Sequence, residues 1–229
     1  AFPGVELAGQ TRYCEQTGGD YFDYLDGRPL GRQMLGVAIG DVAGHGVPAA
    51  LLMTTARALL HGLLAAGVPP AQILQQLNLQ LSADVRPGHF MTLLYLLVDV
   101  DRQQLVWASA GHEPALWWHA ATGEVTALNG EDIPLGVDAG WQFKGFAEAH
   151  YQPGDALLLV TDGLCETRNP AGEAFGRQRL TELFGAVGAA SADSIASSVL
   201  GAVDDFKGGG AAHDDLTIVV VRLTHAESD

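Results

Sequence analysis

The chain has 229 residues, of which 48% are hydrophobic and 17% are charged. This composition excludes an intrinsically disordered chain, and the length is sufficient to bury a sizeable core. The formal net charge of −15 argues against binding to the phosphates of DNA or RNA, so we expect no nucleic-acid partner.

The first elements along the chain are predicted to form a β-hairpin. Residues 20–26 and 34–41 have the composition of strands, and the turn-rich segment 27–31 joins them. Folding the first strand back on the second places Asp20 opposite Asp41, so that their carboxylates could share a site. Asp23 is a further candidate, although alternation along the strand directs it to the other face.

Two helices are predicted after the hairpin. The first covers 47–66, and the apolar stretch 49–67 contains Arg57 and His61, which favours a buried helix over a membrane span. The second helix begins near Pro70. Its apolar residues recur with helical spacing, at Ile73, Leu74, Leu77 and Leu81.

The remainder of the chain is predicted to be rich in strands. Four apolar runs separated by short turns predict an antiparallel meander over 91–100, 104–110, 114–119 and 123–128. The later elements are a strand over 155–162 that leads into a loop, helices near 176–187 and 191–206, and a final β run over 214–223. This order predicts an α+β fold with mainly antiparallel sheets and helices packed outside them.

The domain organisation and the cellular setting follow from what the sequence lacks. No repeat or linker is evident, so residues 1–229 are predicted to form a single domain. Cys14 and Cys165 fit no zinc or redox spacing, which favours a reducing, cytoplasmic setting. The first residue is Ala, so we expect a domain excised from a longer regulatory protein, with a membrane anchor in a preceding region left open.

Three aspartates lie at the ends of apolar strands. Asp41 and Asp162 each end a predicted strand, and Asp214 directly precedes another. If the last strand runs antiparallel to the first two, all three carboxylates lie on one edge of the sheet. Clustered carboxylates repel one another unless a cation is present, and ligands that are all oxygen favour Mg²⁺ or Mn²⁺. The alternative is that each aspartate forms a turn or caps a helix.

Glycines flank these aspartates and allow close backbone approach. Gly18 and Gly19 precede Asp20, and Gly163 follows Asp162. The main-chain carbonyl of Val42 could also reach an ion. Two such ions could activate a water for in-line attack on phosphorus.

Six segments resemble one protein family, and they occur in the family's order. They are GGDYFD (18–23), IGDVAGHGVPAALLM (39–53), SAGHEPALWW (109–118), PLG (134–136), LLLVTDGLCETRN (157–169) and HDDLTIVVV (213–221). The chain resembles the metal-dependent protein phosphatases (type 2C superfamily), specifically the bacterial branch typified by the SpoIIE and RsbU phosphatases. The resemblance implies an α/β–β/α sandwich of two mainly antiparallel sheets flanked by helices.

The resemblance also assigns roles to the aspartates. It implies two Mn²⁺ or Mg²⁺ ions, both bridged by Asp41, with the Val42 carbonyl assisting one of them. Asp162 and Asp214 would hold the other ion, and Asp20 would serve the Val42 side directly or through water. Glu166 matches a position where related enzymes keep a carboxylate near a weaker third ion.

The sequence departs from the wider superfamily at two places. Ala43 stands where eukaryotic members have a histidine that acts as general acid, and His45 lies two residues further on. The general acid is therefore water or an unidentified group, and His45 either packs at the helix start or lies at the site rim. No basic residue clearly matches the one that captures phosphate, because Arg12 precedes Asp20 in an uncertain alignment. His112 in the SAGHEP turn is predicted to hold a loop by hydrogen bonds.

The resemblance implies removal of phosphate from phosphoserine or phosphothreonine on a STAS-type anti-sigma antagonist within a partner-switching pathway. Members of this branch are controlled by attached N-terminal sensor or membrane domains and by dimerisation. The helices over 47–66 and 70–84 are then expected to couple such a domain to metal binding. The competing interpretation is a non-catalytic phosphatase-like module that binds a regulatory protein.

Overall fold

The computed structural model describes residues 2–14, 18–28, 31, 33–44, 46–65, 68–84, 89–143, 147–210 and 214–225. In chain order the elements are β1 (Val5–Arg12), β2 (Tyr21–Asp26), β3 (Met34–Val42), α1 (Val47–Ala65), α2 (Pro70–Asp84), β4 (Met91–Asp99), β5 (Gln104–Ala110), β6 (Ala115–Trp118), β7 (Val125–Leu128), β8 (Ala147–His150), β9 (Ala156–Val160), α3 (Asp162–Glu166), α4 (Gly176–Val187), α5 (Ala192–Lys207) and β10 (Leu216–Leu223).

The chain divides into two compact units. The hairpin unit comprises Glu15–Pro114 and Asn129–His150, and the terminal unit comprises Ala1–Cys14, Ala115–Leu128 and Tyr151–Asp229. Each unit contains one five-stranded sheet in which every neighbouring pair of strands is antiparallel. Helices pack on both sheets. The predicted class of two antiparallel sheets flanked by helices is therefore confirmed.

In the hairpin unit the strands lie in the order β2-β3-β4-β5-β8. The central strands β3 and β4 are buried along almost their whole length, because they have a neighbour on each side and helices packed on the sheet. Helix α2 contributes the four apolar residues that its periodicity predicts, and all four are fully buried in the same core as Ala38 and Tyr95. The hairpin and α2 are confirmed as predicted.

Helix α1 is less buried than its composition suggests. Ala49, Ala56 and Leu60 pack into the core, whereas Val47 and Leu51 are 66% and 64% exposed. The prediction of a buried helix is therefore wrong for much of this element, since only one stripe of it contacts the core. The window Val47–Leu64 is long and apolar enough to span a membrane. The core helices of soluble proteins can meet the same two criteria.

In the terminal unit the strands lie in the order β1-β10-β9-β6-β7. Helices α4 and α5 pack through Phe184, Ile195 and Val199 against a core that includes Ile218 and Val220. Helix α5 begins where the Ser191 hydroxyl accepts a hydrogen bond from the main chain of residue 194. It ends at a glycine in the left-handed conformation.

The meander prediction is wrong at its midpoint. Strand β5 pairs with β4 and β8, whereas β6 pairs with β7 and β9 in the other sheet. The chain changes sheets through the turn after Ala110, where Gly111 adopts φ +65° and a Cβ would overlap Pro134. Strands β1 and β8, which lie at sheet edges, were not predicted.

Candidate metal site

Asp20 and Asp41 lie side by side at one end of the hairpin unit's sheet. The β2–β3 ladder pairs Tyr21 with Gly40, and it continues through a hydrogen bond from the Val42 N–H to the Gly19 carbonyl (3.3 Å). This register puts Asp20 directly opposite Asp41, where side chains of an antiparallel pair share one face. Asp20 is buried and Asp41 is half-buried. The predicted proximity of this pair is confirmed.

Gly19 lies against two oxygen atoms that the sequence resemblance assigns to a metal. A Cβ at Gly19 would lie 2.5 Å from the Val42 carbonyl oxygen and 2.9 Å from Asp41 Oδ1. The carboxylate and the carbonyl therefore approach the same backbone segment. Only a residue without a side chain fits there, and hard oxygen donors of this kind suit Mg²⁺ or Mn²⁺.

A Gly19→Ala variant is expected to weaken Mn²⁺ binding by roughly 10-fold to 100-fold, because the new methyl group must displace one of these two oxygens. Isothermal titration calorimetry would measure the affinity. Gly62→Ala is the matched control, since Gly62 lies in α1 with open space around its Cβ position. Equal Mn²⁺ affinity in both variants would contradict the assignment of the Val42 carbonyl and Asp41 to the ion.

Asp162 and Asp214 belong to the terminal unit, and the structure brings their segments together there. Asp162 begins the short helix α3, two residues after β9, so the predicted loop is a helix and Asp162 does not end the strand. The Cβ position of Gly163 lies 3.2 Å from Asp214 Cβ and overlaps the Asp215 carbonyl oxygen. The two segments are therefore in direct contact at the end of β9 and the start of β10.

The two adjacent aspartates before β10, Asp214 and Asp215, have different surroundings. Asp215 is buried, and its Oδ1 accepts a hydrogen bond from the main chain of Cys14 (2.9 Å). Asp214 is exposed, and its Oδ1 accepts from the Asp215 N–H (2.8 Å). Asp215 thus fixes the N-terminal strand β1, and Asp214 is the member whose carboxylate reaches solvent.

The prediction that Asp41, Asp162 and Asp214 share one edge of a single sheet is wrong. Asp41 lies on β3 of the hairpin unit, whereas Asp162 and Asp214 lie beside β9 and β10 of the terminal unit. Among the described residues, no group of three or more His, Cys, Asp or Glu side chains has an arrangement that could hold a metal ion. Convergence of the four aspartates on two ions therefore stays a prediction.

The other predicted residues have varied surroundings. Glu166 is exposed at the end of α3. The Arg12 guanidinium forms an ion pair with Asp204 on α5 (2.7 Å). Ala43 is half-buried directly after β3, and its N–H donates to the carbonyl of residue 90. His45 lies outside the described residues.

Asp23 contacts α1. Its Oδ2 lies 2.8 Å from Arg57 Nε and 2.7 Å from His61 Nε2, and it accepts a hydrogen bond from the Tyr21 hydroxyl (3.2 Å). Burial, and secondly the nearby Asp23 carboxylate, raises the pKa of Tyr21, which keeps the phenol protonated as a donor. Asp23 therefore anchors α1 to β2.

Thr92 contacts the candidate ligand Asp41, and the sequence did not indicate this contact. It pairs with Asp41 in the β3–β4 ladder, and its Oγ1 lies 3.3 Å from the Asp41 amide nitrogen. The same hydroxyl lies 2.9 Å from Nδ1 of the buried His112. In the sequence, Thr92 is visible only as a hydroxyl residue near the start of an otherwise apolar strand. Its contact with Asp41 follows from the register between β3 and β4.

Solved structures of PP2C phosphatase domains share the fold of this chain. The SiaA-PP2C domain of Pseudomonas aeruginosa aligns with a TM-score of 0.81 and 25% identity, covering 95% of this chain and 84% of that one. The PP2C phosphatase domain of SpoIIE from Bacillus subtilis, with a fragment of its regulatory domain, aligns with a TM-score of 0.81 and 20% identity, covering 96% and 63%. The fold is therefore that of the PP2C phosphatases.

Residues 31–224 match the family described as Stage II sporulation protein E (SpoIIE), and the chain belongs to this family. Phosphoserine phosphatase RsbU of Bacillus subtilis (strain 168) is 29% identical over 212 residues, which cover 91% of this chain. The chain spans 60% of the length of RsbU. The resemblance carried by the six sequence motifs is confirmed.

Proposed function

We propose that the chain is a metal-dependent phosphatase that removes phosphate from phosphoserine or phosphothreonine in a partner protein. The observation that carries the proposal is the approach of the Asp41 carboxylate and the Val42 carbonyl to Gly19, beside the paired Asp20. Membership of the SpoIIE family and similarity to a phosphoserine phosphatase support the same conclusion.

The residues of both units fit Mn²⁺ or Mg²⁺ by their donor chemistry, because every proposed ligand atom is oxygen. Asp20, Asp41 and the Val42 carbonyl would hold one ion. Asp162 and Asp214 would hold the second, to which the family resemblance also assigns Asp41. Such ions supply Lewis-acid activation of water and neutralise phosphoryl charge. Glu166 is the candidate for a weaker third ion.

The chain's own residues limit how the leaving serine or threonine oxygen receives its proton. Ala43 has no group that can donate one, so the proton comes from water or from another residue. Arg12 forms an ion pair with Asp204, so binding phosphate would require it to leave this partner. Substrate capture would then depend on the ions and on docking of the partner protein.

The proposed substrate is a phosphorylated STAS-domain protein in a partner-switching pathway, in a cytoplasmic setting or in the cytoplasmic domain of a membrane-anchored protein. Regulation would act through an attached N-terminal sensor or membrane domain and through homodimerisation. The exposed apolar side chains of Val47 and Leu51 support docking on α1. Helix α1 also holds β2 through Asp23, one strand away from Asp41.

Removal of divalent metal is expected to abolish hydrolysis of p-nitrophenyl phosphate and of a phosphoserine peptide. Protein treated with EDTA and then desalted would be assayed alone, with Mn²⁺ and with Mg²⁺. Activity that returns with either metal supports the phosphatase. Pure, metal-loaded protein without activity on either compound would instead favour the non-catalytic binding module.

A further inference from the structure

A chain of hydrogen bonds connects His112 to the main chain of Asp41. The Asp41 N–H donates to Thr92 Oγ1, with 3.3 Å between the nitrogen and the oxygen. Thr92 Oγ1 and His112 Nδ1 are 2.9 Å apart. All three residues lie in the hairpin unit, and the imidazole is buried.

Donor–acceptor distances indicate which contact of the Thr92 hydroxyl is the stronger hydrogen bond. A hydroxyl that accepts from the Asp41 N–H retains one proton to donate. Thr92 Oγ1 lies 3.5 Å from the Asp41 carbonyl oxygen, which is at the limit for a hydrogen bond. It lies only 2.9 Å from His112 Nδ1. The hydrogen bond between the Thr92 hydroxyl and His112 Nδ1 is therefore the stronger of the two.

The turn that carries His112 is fixed on several sides. The Ser109 hydroxyl donates to the His112 carbonyl oxygen (3.3 Å). Gly111 packs so closely on Pro134 that a Cβ would lie 2.6 Å from the proline ring. A rigidly held imidazole can restrict the rotation of the Thr92 side chain and, through it, the position of the Asp41 amide.

We infer that His112 is a positioning residue that orients Asp41 and the following Val42 carbonyl for metal binding, acting through the Thr92 hydroxyl. The inference rests on the proposed metal-dependent function. It differs from a loop-holding role, because a residue that only holds its own turn affects stability and leaves metal affinity unchanged. Residues that orient metal ligands typically contribute 10-fold to 100-fold to metal affinity. Because His112 acts indirectly, through Thr92, we expect an effect near tenfold.

The test compares variants that remove the hydrogen bond with variants that keep it. His112→Leu and Thr92→Val remove it, and each is expected to raise the Kd for Mn²⁺ about tenfold, measured by titration calorimetry. His112→Asn keeps a side-chain amide that can donate or accept near the Nδ1 position, and Thr92→Ser keeps the hydroxyl, so both are expected to retain affinity near that of the wild type. The turnover number at saturating Mn²⁺ should fall less than the affinity.

A double variant and a stability control complete the experiment. If His112 acts through Thr92, combining His112→Leu with Thr92→Val weakens binding no further than either change alone. Trp107→Phe removes a hydrogen bond to the Asn129 carbonyl in the same unit and should lower the melting temperature without changing the Kd.

The outcomes separate the inference from the function on which it rests. Wild-type Mn²⁺ affinity in His112→Leu, or additive effects in the double variant, would overturn the positioning role while leaving the phosphatase intact. If His112→Leu fails to fold, the pair Thr92→Val and Thr92→Ser decides the question, since equal affinities would refute the inference. A wild-type protein that binds no Mn²⁺ would overturn both.

Discussion

An Asp41→Asn variant is expected to lose Mn²⁺-dependent phosphatase activity by about 10³-fold or more, because one charged ligand assigned to both ions is removed. The fold should persist, since asparagine has the same shape and the main chain at this position is held by Thr92 and by the β3–β4 ladder. Initial rates with p-nitrophenyl phosphate at several Mn²⁺ concentrations would measure the loss. Calorimetry on the same sample should show that Mn²⁺ binding at both sites is weakened.

Asp101→Asn is the matched control for this variant. Asp101 lies exposed in the turn between β4 and β5 of the same unit, so the same change of charge is made away from the proposed ligands. It should retain wild-type rates and affinity. If the rates of the Asp41→Asn protein are within a few-fold of the wild type, Asp41 is not a metal ligand and the proposed metal chemistry is refuted.

The parts of the fold that were predictable are those set by local sequence. The β2–β3 hairpin follows from two strand-like runs around a turn-rich segment, and its register alone puts Asp20 opposite Asp41. Helix α2 follows from the spacing of its apolar residues, of which Ile73 and Leu81 are fully buried. In both cases the interactions that fix the element span few residues.

The assignment of strands to sheets was not predictable in the same way. Strands β5 and β6 are separated by a turn of four residues, which is as compatible with a meander as with a change of sheet. Which sheet each strand joins depends on the pairing of β5 with β8 and of β6 with β9. Both pairings connect strands that lie far apart in the sequence. The sequence therefore predicts a single sheet edge for Asp41 and Asp162, although Asp41 lies on β3 and Asp162 begins α3, after β9 of the other sheet.

The supporting interactions around the candidate ligands also required coordinates. Nothing in the sequence distinguishes Thr92 from any other strand threonine, and the two aspartates before β10 carry no local signal of which is buried. Asp215 is buried because strand β1 places the Cys14 amide against it, and β1 lies about 200 residues earlier in the chain. Sequence reasoning located ligand candidates, and long-range pairing determined their partners.

An Asp162→Asn variant is expected to lose roughly 10²-fold to 10³-fold of activity and to retain one of two Mn²⁺ sites. Asp162 is proposed to hold one ion together with Asp214, whose segment it contacts through Gly163. Asparagine removes the charge from that ion, while Asp20, Asp41 and the Val42 carbonyl remain for the other. Calorimetric titration would give a stoichiometry near one in place of two, and kinetics on the phosphoserine peptide would give the loss in turnover.

Asp205→Asn provides the control within the terminal unit, because Asp205 is exposed on α5 and is not a proposed ligand. Its stoichiometry and turnover should match those of the wild type. The number of Mn²⁺ ions bound by Asp162→Asn is compared with the number bound by Asp41→Asn. Loss of a ligand shared by both ions weakens the binding of both, whereas loss of a ligand of one ion leaves the other bound. Loss of both ions in Asp162→Asn would contradict the division of roles, and wild-type turnover would remove Asp162 from the site.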